Sequence, residues 1–159
     1  MKEKQEDVLF DIYVDTVSEL QKYLEIEHFD ITLAGCDKHW ADASIDILYK
    51  YFSATITFNN RIIFNKESIK WTTYNRIAAL FMHECFHIFC SVGTSYLQEE
   101  EDNLLIGLGK KELAMHNNSM IVLEEQMVVT LERKFIKEFI KIKEYKELEK
   151  RYKEVVKEL

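Results

Sequence analysis

Apolar positions recur at helical spacing near the N-terminus. Leu9, Tyr13, Val17, Leu20 and Leu24 fall on one stripe, which predicts an amphipathic helix over about 5–26. "FDITLAG" (29–35) then reads as a short strand, its ends marked by Asp30 and Gly35. "DASIDILYKYFSATITFNN" (42–60) is rich in β-branched and aromatic residues, with Ile45 and Ile47 alternating, and likewise Ala54, Ile56 and Phe58. This predicts two strands near 44–49 and 53–59, or one long bulged strand, with "RIIF" (61–64) as a further short strand. The aromatics Trp40, Tyr49, Tyr51 and Phe52 read as sheet core.

Asn65 is placed to cap a helix over 66–92, with Glu67 in its first turn and an apolar stripe of Ile77, Leu80, Phe81, Cys85 and Ile88. The pattern breaks over 93–118. That stretch holds Gly93, Gly107 and Gly109, the acidic run Glu99-Glu100-Glu101-Asp102 and His116-Asn117-Asn118, and it predicts mostly loop. Asn118 or Ser119 can cap a last helix over about 119–158, whose buried face is Val128, Leu131, Phe135 and Phe139. Beyond about 141 this helix becomes strongly charged. It is expected to be solvated with i,i+4 ion pairs, or to contact a partner.

The chain of 159 residues has the length of about one domain, and 47% apolar with 31% charged residues is globular composition. The absence of proline and a total of four glycines favour long helices over a loop-rich β fold. The net charge of −7 is uneven: residues 132–158 carry ten Lys/Arg against seven Glu, leaving the rest at about −10. An acidic body lacks the basic footprint of nucleic-acid binding. Three cysteines, Cys36, Cys85 and Cys90, without a CxxC pair point to reduced thiols rather than a disulfide framework. No apolar run approaches the ~18 residues of a membrane span, and the acidic N-terminus is unlike a signal peptide. The expectation is a soluble, cytoplasmic protein.

"LFMHECFHIF" (80–89) changes the picture. Residues four apart on a helix share a face, so His83 and His87 can direct two imidazoles at one metal ion. Glu84 stands one step around, able to reach a water at the metal without ligating it. Leu80, Phe81, Phe86 and Phe89 would hold the local dielectric low. Cys85 faces away from the histidine stripe and reads as a small core residue. A catalytic zinc has three protein ligands and an open position. The third is sought among His116, the acids of 99–102, and Glu124-Glu125. A metzincin pattern is excluded, because Cys90 and Gly93 stand where its glycine and histidine would be. Glu124 and Glu125 lie among Ile121, Val122, Leu123, Met127 and Val128, where a buried carboxylate is costly unless paired or metal-bound. Helical phase does not choose between them.

The sequence resembles the gluzincin branch of HExxH metallopeptidases, and within it the small, minimal-domain enzymes common in phages and mobile elements. The resemblance rests on "ATITFN" (54–59) as the strand beside the cleft, "LFMHECFHIF" as the active-site helix and "EEQMVVTLERKF" as the glutamate helix, spanning roughly 44–140. It implies an α+β, zincin-like domain over 1–159: a small mixed sheet packed on the HExxH helix, with the glutamate helix beneath. It implies zinc held by His83, His87 and Glu125, since Val128 and Leu131 follow Glu125 at the family's offsets, with Glu124 as the alternative. It implies peptide-bond hydrolysis by a metal-activated water with Glu84 as general base. A peptide or protein substrate would pair with an edge strand at 53–59, and Tyr96 or His116 would be the loop donors to the oxyanion. The sequence departs from the larger enzymes in having Val128 and Val129 where an acid follows the ligand glutamate, and in lacking their second domain. The rival expectations are a zinc-binding but inactive domain, and a metal-free helical interaction or regulatory protein of a mobile element.

Overall fold

The computed structural model describes residues 3–37, 40–48, 51–104 and 110–159. Within these, the side chains of 3, 46–48, 51, 52, 62, 91–104 and 110–117 are not described. The element order is α1 (Glu3–Tyr23), β1 (Phe29–Cys36), β2 (Ala41–Leu48), β3 (Tyr51–Asn59), α2 (Asn60–Ile63), α3 (Lys66–Trp71), α4 (Tyr74–Leu104), α5 (Lys110–Phe139) and α6 (Lys143–Lys157). The fold is α+β with a mixed sheet of order β1-β3-β2. β1 runs parallel to β3, with Leu33 opposite Ile56, and β2 runs antiparallel to it, with Ala43 opposite Ile56.

Alternation along β3 sends Ala54, Ile56 and Phe58 inward. The opposite face carries hydroxyls, with Thr32 and Thr55 Oγ1 atoms 3.2 Å apart. α1 buries Leu9, Tyr13, Val17 and Leu20 in the same core cluster as the sheet and α4. Tyr13 also donates its hydroxyl hydrogen to the Ile63 carbonyl at 2.9 Å. That bond, with Asn59 Oδ1 accepting from Arg61 N–H, holds "RIIF" as a helical turn rather than the expected strand.

The expected helix over 66–92 is two helices. Asn65 caps α3 as anticipated, its Oδ1 accepting from the backbone of Glu67 and Ser68. The chain then turns extended at Thr72, whose carbonyl accepts from Tyr152 Oη at 3.2 Å, and Thr73 Oγ1 caps the start of α4. Tyr74, nearly fully buried, contacts Tyr145 and Tyr152 at ring-centroid distances of 5.1 and 5.6 Å, and its hydroxyl lies 2.8 Å from Thr16 Oγ1. The start of α4 is thereby fixed to α1 and α6.

The expected loop over 93–118 is largely helical. α4 continues to Leu104 and α5 begins at Lys110, so Gly93, Asn118 and Ser119 lie inside helices, and neither of the last two is a cap. A helical glycine costs only about 1 kcal/mol, and the Glu-rich run is a good helix former. Gly107 and Gly109 lie outside the described residues. The expected last helix is also divided: α5 ends at Phe139, and a turn at 140–142 folds α6 back. Rather than being solvated on all sides, α6 buries Tyr145, Leu148 and Tyr152 against the core and pairs Arg151 with Asp15 of α1 at 2.6 Å. Its outer face carries the anticipated i,i+4 pairs Lys143–Glu147, Glu149–Lys153 and Lys150–Glu154. None of the described helices is long and apolar enough to cross a membrane.

The strand at 53–59 is not an edge. β3 is central because both its sides are paired, and β2 is the edge strand that faces α4. Trp40, expected in the sheet core, is exposed just before β2; the side chains of Tyr49, Tyr51 and Phe52 lie outside the described residues.

Candidate metal centre

α4 presents His83 and His87 one turn apart, half-buried, with ring centroids 4.8 Å apart. α5 packs alongside and contributes Glu124, Glu125 and Glu132. Glu125 and Glu132 are seven residues apart, two turns on one stripe, and Glu124 is one step around.

The Nε2 atoms of His83 and His87 are 3.1 Å apart. One Glu125 oxygen stands 3.3 Å from His83 Nε2 and the other 3.1 Å from His87 Nε2. Ligands about 2.0–2.1 Å from a tetrahedral ion stand about 3.3–3.4 Å from one another, close to these separations. These three residues therefore form a group that can hold a metal ion.

The opposite side of each ring is also engaged. His83 Nδ1 is 3.2 Å from Glu132 Oε2, and His87 Nδ1 is 2.9 Å from Glu124 Oε1. An ionised carboxylate only accepts, so each Nδ1 is the donor. In a neutral imidazole that leaves the Nε2 lone pair exposed, and here both lone pairs converge with the Glu125 carboxylate. Two such nitrogens and a carboxylate facing one another suit a cation between them, a metal ion or an added proton. Carboxylates on the far nitrogens are what orients metal-binding histidines.

Glu124, weighed as the alternative ligand, thus sits behind His87 rather than beside the Nε2 atoms. The side chains of the other candidates, His116 and the acids of 99–102, lie outside the described residues, as does that of Tyr96. Of the apolar neighbours expected around the glutamates, Val128 is buried, but Ile121, Val122, Leu123 and Met127 are exposed; Glu124 is partly buried and Glu125 is 52% exposed.

Glu84 is buried, and its carboxyl is pushed up to about 7. Desolvation is the main cause; His87 opposes it, while Asp42 and Glu125 add to it. Phe81 and Phe86 are buried and Leu80 partly so, but Phe89 points outward and takes no part in excluding water. Cys85 is fully buried, its thiol pushed up to about 12 by burial first and Glu84 second.

A cleft of about 1120 Å³ runs over these groups. It is lined by Trp40 to Ala43 at the β2 edge, by residues of α3 and α4 from Ser68 to His87, and by the α5 acids. Sequence reasoning missed Glu132, Asp42, Trp71 and Arg76. The spacing of Glu132 from Glu125 was a usable signal for the first; the other three depend on how β2 and α3 approach α4. No protein-family model matches the sequence, and no curated protein matches it.

Proposed function

We propose that this protein is a zinc peptidase of the gluzincin type, with His83, His87 and Glu125 as ligands and the sheet, HExxH helix and glutamate helix as a minimal zincin-like domain. The observation that carries this reading is the convergence of two Nε2 lone pairs and a carboxylate, with both Nδ1 atoms already committed to Glu132 and Glu124. Two imidazoles and a carboxylate are a donor set typical of catalytic zinc. Zinc bound there supplies Lewis acidity, lowering the pKa of a water towards ~7 and polarising a peptide carbonyl.

The chain's own residues do the rest. Glu84, beside His83 and within the cleft, takes the proton of the attacking water on its carboxylate and delivers it to the leaving amine nitrogen. Its burial favours the protonated form that this transfer creates. Ala41–Ala43 of the β2 edge line the cleft, so an extended peptide would add to β2, not to 53–59.

The test is hydrolysis of an unfolded protein such as casein by the zinc-loaded chain. Cleavage should stop with a chelator and return with zinc, and Glu84→Gln should keep its metal but lose a hundredfold or more in rate. Zinc bound without any cleavage would make this a structural metal site. Zinc lost from Glu84→Gln would make Glu84 a ligand.

A further inference from the structure

The cleft extends well past the metal-binding group, and its far end has a different character. Arg76 lies on α4 seven residues before His83. Seven residues are two turns, about 10 Å along the axis on nearly the same face. Arg76 lines the cleft and is exposed, and no carboxylate pairs with it among the described residues. The other charged groups on the lining are acids, and of these Glu124, Glu125 and Glu132 are engaged with the histidines.

Two indoles flank the same cleft. Trp40 precedes β2 and is 71% exposed; Trp71 ends α3 and is 82% exposed. Two exposed tryptophans and a guanidinium without a carboxylate partner among the described residues, all lining one cleft, form a surface that a ligand can cover. The indoles gain by being covered, and the arginine offers a planar fork that fits a carboxylate.

We propose that Arg76, which shares the cleft lining with Trp40 and Trp71, is the specificity determinant of the cleft and selects a peptide with an acidic side chain about three residues from the scissile bond. This rests on reading the cleft as a peptide site. An extended chain rises about 3.3 Å per residue, so the 10 Å between His83 and Arg76 corresponds to about three residues. The acids around the histidines would repel that side chain at the other end of the cleft, which fixes the peptide's placement.

The test uses Glu84→Gln protein, with and without zinc, and end-capped decapeptide pools in which glutamate or lysine is fixed at each position in turn. Binding is followed by tryptophan fluorescence. Glutamate should be favoured about tenfold over lysine at one position, and Arg76→Glu in the same background should reverse the preference there. Equal binding of the glutamate and lysine pools, no binding of either, or a preference unchanged by Arg76→Glu would overturn the assignment. Zinc content and casein hydrolysis of the unmodified chain are read separately. Cleavage without a charge preference defeats only the role of Arg76, and a preference without zinc or cleavage defeats only the peptidase reading.

Discussion

Each imidazole is held at both nitrogens, and this makes the carboxylates separable by experiment. Glu125→Ala removes the carboxylate that reaches both Nε2 atoms, whereas Glu124→Ala and Glu132→Ala each remove an acceptor behind one ring. Chelator competition should show the largest loss of zinc affinity for Glu125→Ala. The other two should lose about 10–100-fold. If Glu124→Ala is the severe change, the ligand is one residue away from where the geometry places it. Glu84 makes a second prediction, for metal-free protein. Its folded value of about 7 lies above the ordinary 4.5, so between those values the folded state holds more protons than the unfolded state. Stability from this group is therefore lost as pH rises from about 4.5 to 7, by roughly 3 kcal/mol. Urea unfolding should show that loss in the wild type and not in Glu84→Gln; parallel pH profiles would contradict it. His83, Glu84 and His87 were legible in the sequence because spacing along one helix determines which residues share its face. The acids on α5 were less legible. Their roles depend on the rotation and depth at which α5 packs on α4, and a phase midway between Glu124 and Glu125 let both reach a histidine.

At the scale of elements, the stripes and alternations were readable while the joints were not. The α1 stripe, the inward face of β3 and the buried face of α5 follow directly from apolar spacing. The breaks at Thr72 and at 140–142 carry no proline or glycine. They exist because Tyr152 and Tyr145 bury against Tyr74, a long-range contact invisible to local pattern. Conversely, the described part of the region expected as loop, Gly93 included, was absorbed into α4 and α5. The end of α1 shows a joint with a measurable cost. Ile26 N–H bonds to the Gln21 carbonyl at 2.9 Å and Glu25 N–H to Lys22 at 3.2 Å, the two bonds of a Schellman cap. Glu25 sits at the left-handed position with φ 58°, where glycine is the favoured residue. Glu25→Gly should therefore stabilise the protein by about 0.5–1 kcal/mol, read as a rise of a few degrees in Tm. An unchanged or lower Tm would show that the glutamate side chain contributes contacts outweighing its backbone strain.

For the molecule as a whole, α4 is the organising element. It packs on the sheet, α1, α5 and α6, and it carries the histidines where its α5 side meets the β2 edge. Helices and strands were readable from periodicity, and the α+β class was what the family resemblance implied. The strand order was not readable, because alternation alone does not say which strand sits in the middle, and that order makes β2 rather than β3 an edge. Metal binding to the folded state alone would add about 4 kcal/mol of stability at a zinc concentration a thousand times Kd. The most direct test of the central claim is zinc content by elemental analysis after exposure to zinc and removal of the excess. The account predicts about one zinc per chain in the wild type, and its loss in both His83→Ala and His87→Ala. A wild type without zinc, or full stoichiometry retained in both variants, would contradict it.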